Sequence, residues 1–215
     1  MKTVSIFTLI VLMLFSCAKK ERTITIEGQI DDPSFSQKAS GVKILLKSAG
    51  VQSGVYSPTY STIGEATTGT DGKFKMELTV AKSSGYRFNL SKTDYFSVQK
   101  DVSADVLEAE DNYTINFSIY PKSIIHLEVK NTTPQGNDDA VNYHFTNIDE
   151  DCTTCCNNDM TYGVGPLYQN TTECELRGNK MLKIEWVVKK NGNQKLYQDS
   201  LWIEPFITNY YSINF

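Results

Sequence analysis

Hydrophobic and polar residues alternate along most of the chain, and a period of two is typical of β-strands with one buried face. In residues 23–30, for example, Ile24, Ile26 and Ile30 share one face. The same alternation recurs at Val42, Ile44 and Leu46; at Phe74, Met76, Leu78 and Val80; at Tyr86, Phe88 and Leu90; and at Tyr113, Ile115, Phe117 and Ile119. Because the other face of each strand is polar, we predict antiparallel sheets rather than a parallel sheet buried on both sides.

A second series of alternating segments begins after Pro121. Its apolar positions are Ile125, Leu127 and Val129; Val141, Tyr143 and Phe145; Leu182, Ile184, Trp186 and Val188; and Tyr211, Ile213 and Phe215. The dipeptide Asn191-Gly192 separates two β-rich runs, which is a strong signal for a two-residue hairpin turn. Residues 194–203 are then the returning strand. A helical pattern occurs only at residues 103–110, and it predicts about two turns.

These patterns predict an all-β protein made of two antiparallel β-sandwiches. We place the first sandwich in residues 23–120 and the second in residues 121–215, with a very short linker near Pro121. The length of 215 residues allows two domains of about 100 residues each, and a hydrophobic content of 40% is enough to fill two cores. One continuous sandwich is the alternative arrangement.

The first sixteen residues differ from the rest of the chain. Lys2 gives a basic start, and residues 6–15 are an uninterrupted apolar run. A helix that spans a bilayer needs about 20 such residues, so this shorter run predicts a signal peptide instead. Export would place the remaining chain in a compartment where disulfides form.

The apolar run ends in Leu14-Phe15-Ser16-Cys17, which resembles the lipobox of bacterial lipoproteins. The resemblance implies that residues 1–16 are removed, that Cys17 is acylated, and that residues 17–22 link the lipid to the first strand. Because Ala18 and not aspartate follows the cysteine, the resemblance also implies sorting to the outer membrane. An ordinary secretory signal, in which Cys17 is incidental, is the alternative.

Three segments of the first sandwich carry a further resemblance. They are Gly28-Gln29-Ile30 at the end of one strand, Gly41-Val42-Lys43-Ile44 at the start of the next, and Thr68-Gly69-Thr70-Asp71-Gly72-Lys73-Phe74 around a tight turn. Residues 23–120 thereby resemble the carboxypeptidase regulatory-like domain, which is a transthyretin-like sandwich. The resemblance implies an accessory domain without catalytic residues. Residues 121–215 look generically immunoglobulin-like.

Four cysteines fall in a loop-like segment rich in Asn, Thr, Asp and Gly: Cys152, Cys155, Cys156 and Cys174. In an exported chain an even number of cysteines predicts disulfides. Either Cys155 or Cys156 is a suitable partner for Cys174, whereas a bridge between neighbouring cysteines would strain the peptide. A zinc site with four thiolates is the alternative, although its second Cys-x2-Cys pair is missing. A redox-active Cys-x-x-Cys is less favoured, since no helix begins beside it.

Other features argue against catalysis and against nucleic-acid binding. His126 and His144 lie on the polar faces of their strands, where a histidine is usually just solvated. The acidic clusters at residues 138–139 and 149–151, and Asp159, lack the ordered spacing of a calcium loop, so we interpret them as solvated loop charge. A net charge of −4 does not suit a protein that binds a phosphate backbone.

The sequence therefore favours a non-catalytic module for binding, assembly or adhesion, tethered by Cys17, with a protein or glycan partner in the envelope and with no cofactor and no metal. Tyr56 and Tyr60 are weak candidates for ligand binding. We place them in a long loop at residues 48–66, where exposed rings can stack on sugars or anchor a protein partner. Rings folded back as local core are the alternative. A surface glycan-binding accessory protein and, less favoured, a surface hydrolase with paired carboxylates are the alternative functions.

Overall fold

The structure, a computed structural model, describes residues 22–52, 55–80, 83–150 and 152–215; the predicted signal peptide and Cys17 lie outside these ranges. No helix in the described ranges has the length and apolarity needed to cross a membrane. The elements are β1 (Arg22–Asp32), β2 (Gln37–Lys38), β3 (Lys43–Gln52), β4 (Val55–Thr67), β5 (Lys73–Val80), β6 (Ser83–Ser91), β7 (Val98–Ser103), α1 (Ala104–Leu107), β8 (Asn112–Thr114), β9 (Phe117–Ser118), β10 (Lys122–Lys130), β11 (Ala140–Phe145), β12 (Thr161–Val164), β13 (Gln169–Arg177), β14 (Lys180–Lys190), β15 (Asn193–Ile203) and β16 (Thr208–Asn214).

The chain forms two compact units. The described part of unit 1 comprises residues within 22–29, Ser40–Leu90 and Val98–Asn116. Unit 2 comprises Ile30–Ala39, Ser91–Ser97 and Phe117–Phe215. Residues 30–39 and 91–97 lie within the predicted first sandwich, whereas the contacts group both segments with unit 2.

Both units have the same strand connectivity. In unit 1, β1 pairs with β5 and with β8, and the second sheet has the order β4-β3-β6-β7. In unit 2, β10 lies between β13 and β16, and the second sheet has the order β12-β11-β14-β15. The predicted all-β sandwich class is thus confirmed.

The direction of one strand pair in each unit was not evident from the sequence. Within the described residues, β8 and β9 run parallel to β1, and β16 runs parallel to β10. The pairs β1–β5, β3–β4, β6–β7, β10–β13, β11–β12, β11–β14 and β14–β15 are antiparallel. Alternation of residues reports which face is buried, but it carries no information on strand direction.

The buried faces agree with the predicted ones. The unit 1 core includes Ile24, Ile26, Val42, Ile44, Leu46, Phe74, Met76, Val80, Tyr86, Phe88 and Leu90, and the unit 2 core includes Ile125, Leu127, Val129, Val141, Tyr143, Phe145, Leu182, Ile184, Val188 and Ile213. Burying one such large side chain stabilises the fold by about 1.5–3 kcal/mol, so these faces provide the main driving force for folding. Trp186 and Tyr211 are on the predicted face but remain partly exposed.

The predicted hairpin turn is confirmed, whereas the predicted helix is shorter than expected. Asn191 and Gly192 connect β14 to β15 with φ values of 50° and 78°, the left-handed conformation that a two-residue turn of this kind needs. The helical pattern at residues 103–110 corresponds to α1, which is only one turn long.

The predicted loop at residues 48–66 is wrong. β3 continues to Gln52 and β4 begins at Val55, and the two strands pair antiparallel. Their register shifts between Leu46 and Lys47 and again between Ser48 and Gly50. Such bulges reverse the alternation of inward and outward residues, and therefore the strand pattern could not be read from the sequence.

A buried polar cluster holds the connection between β10 and β11. Asp139 has no exposed surface, and its Oδ2 atom accepts hydrogen bonds from Asn131 Nδ2 (2.9 Å) and from the Gln135 backbone N–H (2.8 Å). Lys190 Nζ lies 3.5 Å from the same oxygen and donates to Asn131 Oδ1 at 2.9 Å. The hydrogen bonds from Gln135 and Asn131, aided by Lys190, lower the pKa of Asp139. The interpretation of this aspartate as solvated loop charge is therefore wrong.

We expect Asp139 to make stability depend on pH. Because its folded pKa is depressed, its contribution is fully present above the unfolded value of about 4 and is lost as the pH falls through the folded pKa. Between about pH 6 and about pH 2, the free energy of unfolding measured in urea should therefore fall more steeply for the native chain than for Asp139→Asn. The variant should also be less stable than the native chain at neutral pH. The exposed Asp159→Asn is the matched control, and identical pH profiles for all three proteins would contradict the assignment.

Candidate functional site

The two units differ most clearly in the connection between their second and third strands. In unit 1 this connection, between β3 and β4, covers only residues 53–54. In unit 2 the corresponding connection, between β11 and β12, covers residues 146–160 and contains three of the cysteines. We call residues 146–160 the cysteine loop. Extra loop length on a rigid scaffold is a common location of binding function, so this loop is the candidate site.

Two disulfides fix the cysteine loop. Cys152 bonds to Cys155 within the loop, and Cys156 bonds to Cys174 on β13, each with an S–S distance of 2.07 Å. The predicted disulfides are confirmed, and Cys156 rather than Cys155 is the partner of Cys174. Each of the four sulfurs belongs to one of these two disulfides, so none is a thiolate that could bind zinc in the alternative site. The described residues contain no cluster of three or more His, Cys, Asp or Glu suited to a metal ion.

The backbone of the cysteine loop covers the outer edge of β13. The Cys156 N–H donates to the Glu175 carbonyl oxygen, and the Glu175 N–H donates to the Thr154 carbonyl oxygen, both at 2.9 Å. An unpaired sheet edge tends to associate with other strands, and a covering loop prevents this. The loop is therefore part of the sandwich and not a loose appendage.

A buried ion-pair network anchors the start of the cysteine loop. The side chain of Glu150 is only 3% exposed, and it lies 2.9 Å from Lys180 Nζ and 3.5 Å from Arg177 Nε. Asp149 contacts the same two cations at 2.9 Å and 3.0 Å. Burial alone would raise the pKa of Asp149, but Lys180 and Arg177 outweigh it and the pKa is lowered. The interpretation of Glu150 as solvated loop charge is thus wrong, because the network needs that carboxylate.

Two shallow surfaces adjoin the cysteine loop. The one beneath it is lined by the apolar side chains of Leu127, Tyr143 and Phe145, by the Cys156–Cys174 disulfide, and by polar side chains that include His144 and Asp159. The one beside it is lined by Phe96, Ser97, Lys122, Thr153, Thr154 and Arg177, among others. Glu175 pairs with Lys122 at 3.2 Å, and Glu150 with Arg177, so the cations are largely neutralised. These surfaces offer hydroxyl groups, aromatic rings and ionisable side chains to a ligand.

The histidines do not meet at a common site. His126 lies on β10, where Nδ1 is 3.2 Å from Glu173 and the imidazole is 5.2 Å from the ring of Tyr210. His144 lies on β11, in the other sheet of unit 2, 3.8 Å from Glu185. Both are partly exposed on the predicted polar faces.

The tyrosine candidates lie on a strand and not on a loop. Tyr56 and Tyr60 both belong to β4. The guanidinium of Arg87 lies 4.1 Å above the ring of Tyr60, and Asp101 holds that guanidinium with contacts of 2.6 Å and 2.8 Å. One face of the Tyr60 ring is therefore already occupied, which makes it a poorer platform for a sugar than the sequence suggested.

An aromatic cluster in unit 2 escaped the sequence analysis. The rings of Trp186 and Tyr197 are stacked, with centroids 5.5 Å apart, and Tyr211 meets Trp186 edge-on at 6.5 Å. Tyr211 Oη donates to Asp199 at 2.5 Å, and burial together with this hydrogen bond raises the pKa of Tyr211. The cluster ties β15 to β16, which belong to different sheets. The alternation pattern placed Trp186 and Tyr211 on core faces, but it could not bring the strands together.

Comparisons with known proteins add no assignment. No family model and no curated protein matches the sequence. Among solved structures, the shaft pilin SpaA from Lactobacillus rhamnosus GG is 8% identical, with 91% of this chain and 97% of the pilin covered and a TM-score of 0.34. A DUF3823 family protein from Parabacteroides merdae is 15% identical, with 85% and 99% covered and a TM-score of 0.29.

Two enzymes also appear among these similar structures, at partial coverage. The 3-chlorocatechol 1,2-dioxygenase from Rhodococcus opacus 1CP is 13% identical with a TM-score of 0.35, and the aligned part covers 47% of this chain and 60% of the enzyme. For an (S)-allantoin synthase the alignment covers 50% of this chain and 45% of the enzyme, at 14% identity and a TM-score of 0.33. At TM-scores this low, none of these similarities assigns a function.

We expect the two disulfides to contribute unequally to stability. Cys156–Cys174 spans 18 residues and Cys152–Cys155 spans three, so the chain-entropy model gives about 3 and about 2 kcal/mol respectively. Cys156 is also buried, whereas Cys152 is exposed. The free energy of unfolding in denaturant should therefore decrease more in the double variant Cys156→Ala/Cys174→Ala than in Cys152→Ala/Cys155→Ala. Equal losses would contradict the role given to the link between the loop and β13.

Proposed function

We propose that this protein is a lipid-anchored, non-catalytic binding module of the bacterial cell envelope. In this proposal Cys17 holds the chain at the outer membrane, and unit 2 presents the cysteine loop to a protein or glycan partner. Neither a cofactor nor a nucleic acid takes part.

The two disulfides of the cysteine loop are the observation that carries the proposal. Disulfides of this kind persist in oxidising compartments such as the periplasm and the cell surface, and are rare in the cytosol. They therefore support the interpretation of residues 1–16 as an export signal. Once export is accepted, the lipobox-like segment that ends in Cys17 gives the chain a means of attachment.

The start of the fold is compatible with a short tether. β1 begins at Arg22, five residues after Cys17, and a fully extended stretch of that length reaches at most about 18 Å. Lipoprotein cysteines carry two or three acyl chains. Each buried methylene contributes about 0.8 kcal/mol, so such an anchor would hold the protein firmly.

The chemistry around the cysteine loop supports binding rather than catalysis. Asp149, Glu150, Arg177 and Lys180 form ion pairs with one another, and these pairs fix the start of the loop in place. A rigid loop loses little conformational entropy when it binds a partner, and this favours specific recognition.

Replacing the predicted lipidated residue tests the anchor. We expect Cys17→Ser to abolish incorporation of radiolabelled palmitate and to move the protein out of the outer-membrane fraction. A variant with Cys152→Ala and Cys155→Ala is the matched control, since it also loses cysteines but should remain labelled and membrane-bound. Palmitate labelling that persists in Cys17→Ser would refute lipidation at this residue.

A further inference from the structure

The last strand of the four-stranded sheet in unit 2 presents a long free edge. β15 pairs with β14 over eleven residues without a register shift, and among the described strands it has no neighbour on its other side. Most of its residues are exposed, and the exposed fraction is 57% for Leu196 and 44% for Trp202. The opposite edge strand of the same sheet, β12, has only four residues.

A free edge of this length usually carries features that prevent pairing with other chains. Proline, a bulge or a covering loop would serve, and the cysteine loop does so for β13. β15 has none of these three features along its length. Its charged residues are Lys195 and Asp199, which lie on the same face because they are four positions apart in the strand.

These two charges discriminate between possible partner strands. A charged residue on an edge disfavours any strand that places an apolar or like-charged residue opposite it. If two copies of β15 pair antiparallel with Tyr197 opposite Tyr197, then Lys195 of each copy lies opposite Asp199 of the other. Nine residues of each strand, 193–201, face one another in this register. Shifting the register by two residues in either direction removes both charge pairs.

Hydrogen bonds within the same chain hold the carboxylate of Asp199 in place on β15. Its Oδ2 accepts the hydrogen bond from Tyr211 Oη at 2.5 Å, and its Oδ1 accepts one from the Ser200 N–H at 2.7 Å. These two hydrogen bonds lower the pKa of Asp199. Lys195 Nζ lies 4.7 Å from the centre of the Tyr197 ring, in the middle of the strand.

We propose that β15 is a dimerisation edge, at which a second copy of this chain adds its own β15 in antiparallel orientation about Tyr197. The two four-stranded sheets then form one eight-stranded sheet, with two reciprocal Lys195–Asp199 pairs. The exposed Leu196 lies opposite Gln198 of the other copy in this arrangement. The contact is symmetric, as expected for a twofold dimer. It goes beyond the function proposed above and does not depend on lipidation.

Charge reversal tests the pairing directly. The full-length chain is solubilised in detergent with micelles in large excess over protein, and its mass is measured by light scattering after size-exclusion chromatography. We expect the native chain to dimerise and both Lys195→Glu and Asp199→Lys to weaken dimerisation roughly tenfold or more, because each places two like-charged pairs across the edge. Circular dichroism and thermal melting check that the variants remain folded.

Mixing the two variants gives the decisive result. In a heterodimer of Lys195→Glu with Asp199→Lys, both cross-strand pairs again have opposite charges. Differently tagged copies of the two variants should therefore co-purify, although each variant alone dimerises only weakly. Lys183→Glu, a reversal of an exposed lysine on the neighbouring β14, is the control and should dimerise like the native chain. The proposal is overturned if the native chain is monomeric at about 0.1 mM, if Lys195→Glu still dimerises normally, or if the mixture does not associate.

Discussion

Parallel pairing of the first and the last strand closes each sandwich, and the rest of each unit depends on this contact. In unit 2, β10 is held by β13 on one side and by β16 on the other, so the strand that opens the unit is also the centre of its sheet. A parallel pair cannot be made by a hairpin and needs the whole intervening chain to return. In unit 2 the chain passes through five further strands before β16 returns to lie beside β10, and in unit 1 it returns in the same way from β1 to β8.

The cysteine loop shows how a long, fixed loop can be added to such a frame without disturbing it. The Cys156–Cys174 disulfide links the loop to β13. Glu150 also pairs with Arg177 on β13 and with Lys180 on β14. The loop also shields the edge of β13, whereas β15 keeps its edge free. Of the four edge strands in unit 2, β13 is thus paired to the cysteine loop, whereas β15, in the other sheet, keeps a long edge free.

Much of the fold follows from the sequence because burial leaves a direct trace in it. Ile125, Leu127 and Val129 alternate since one side of β10 faces the core, and Asn191-Gly192 forms the turn that its left-handed preference dictates. The register shifts between β3 and β4 interrupt the alternation, and so residues 48–66 do not show a strand pattern in the sequence. The candidate site was only partly predictable. The sequence indicated disulfides, but the choice of Cys156 for Cys174, the burial of Glu150 and the Trp186–Tyr197 stack depend on strands distant in sequence.

The arrangement of the sulfurs imposes an order on oxidative maturation. Cys155 and Cys156 are neighbours, yet each needs a different partner. In the export proposed above, the chain leaves the cytosol from its N-terminus, and Cys174 is the last of the four to emerge. If the first three thiols are oxidised before Cys174 arrives, Cys152 can form a disulfide with Cys155 or with Cys156. Only the bond to Cys155 leaves Cys156 free to pair with Cys174 on β13. A wrong choice must be undone by thiol–disulfide exchange. Correct maturation of this small module thus calls for an isomerase activity in its compartment, or for β13 to arrive in time.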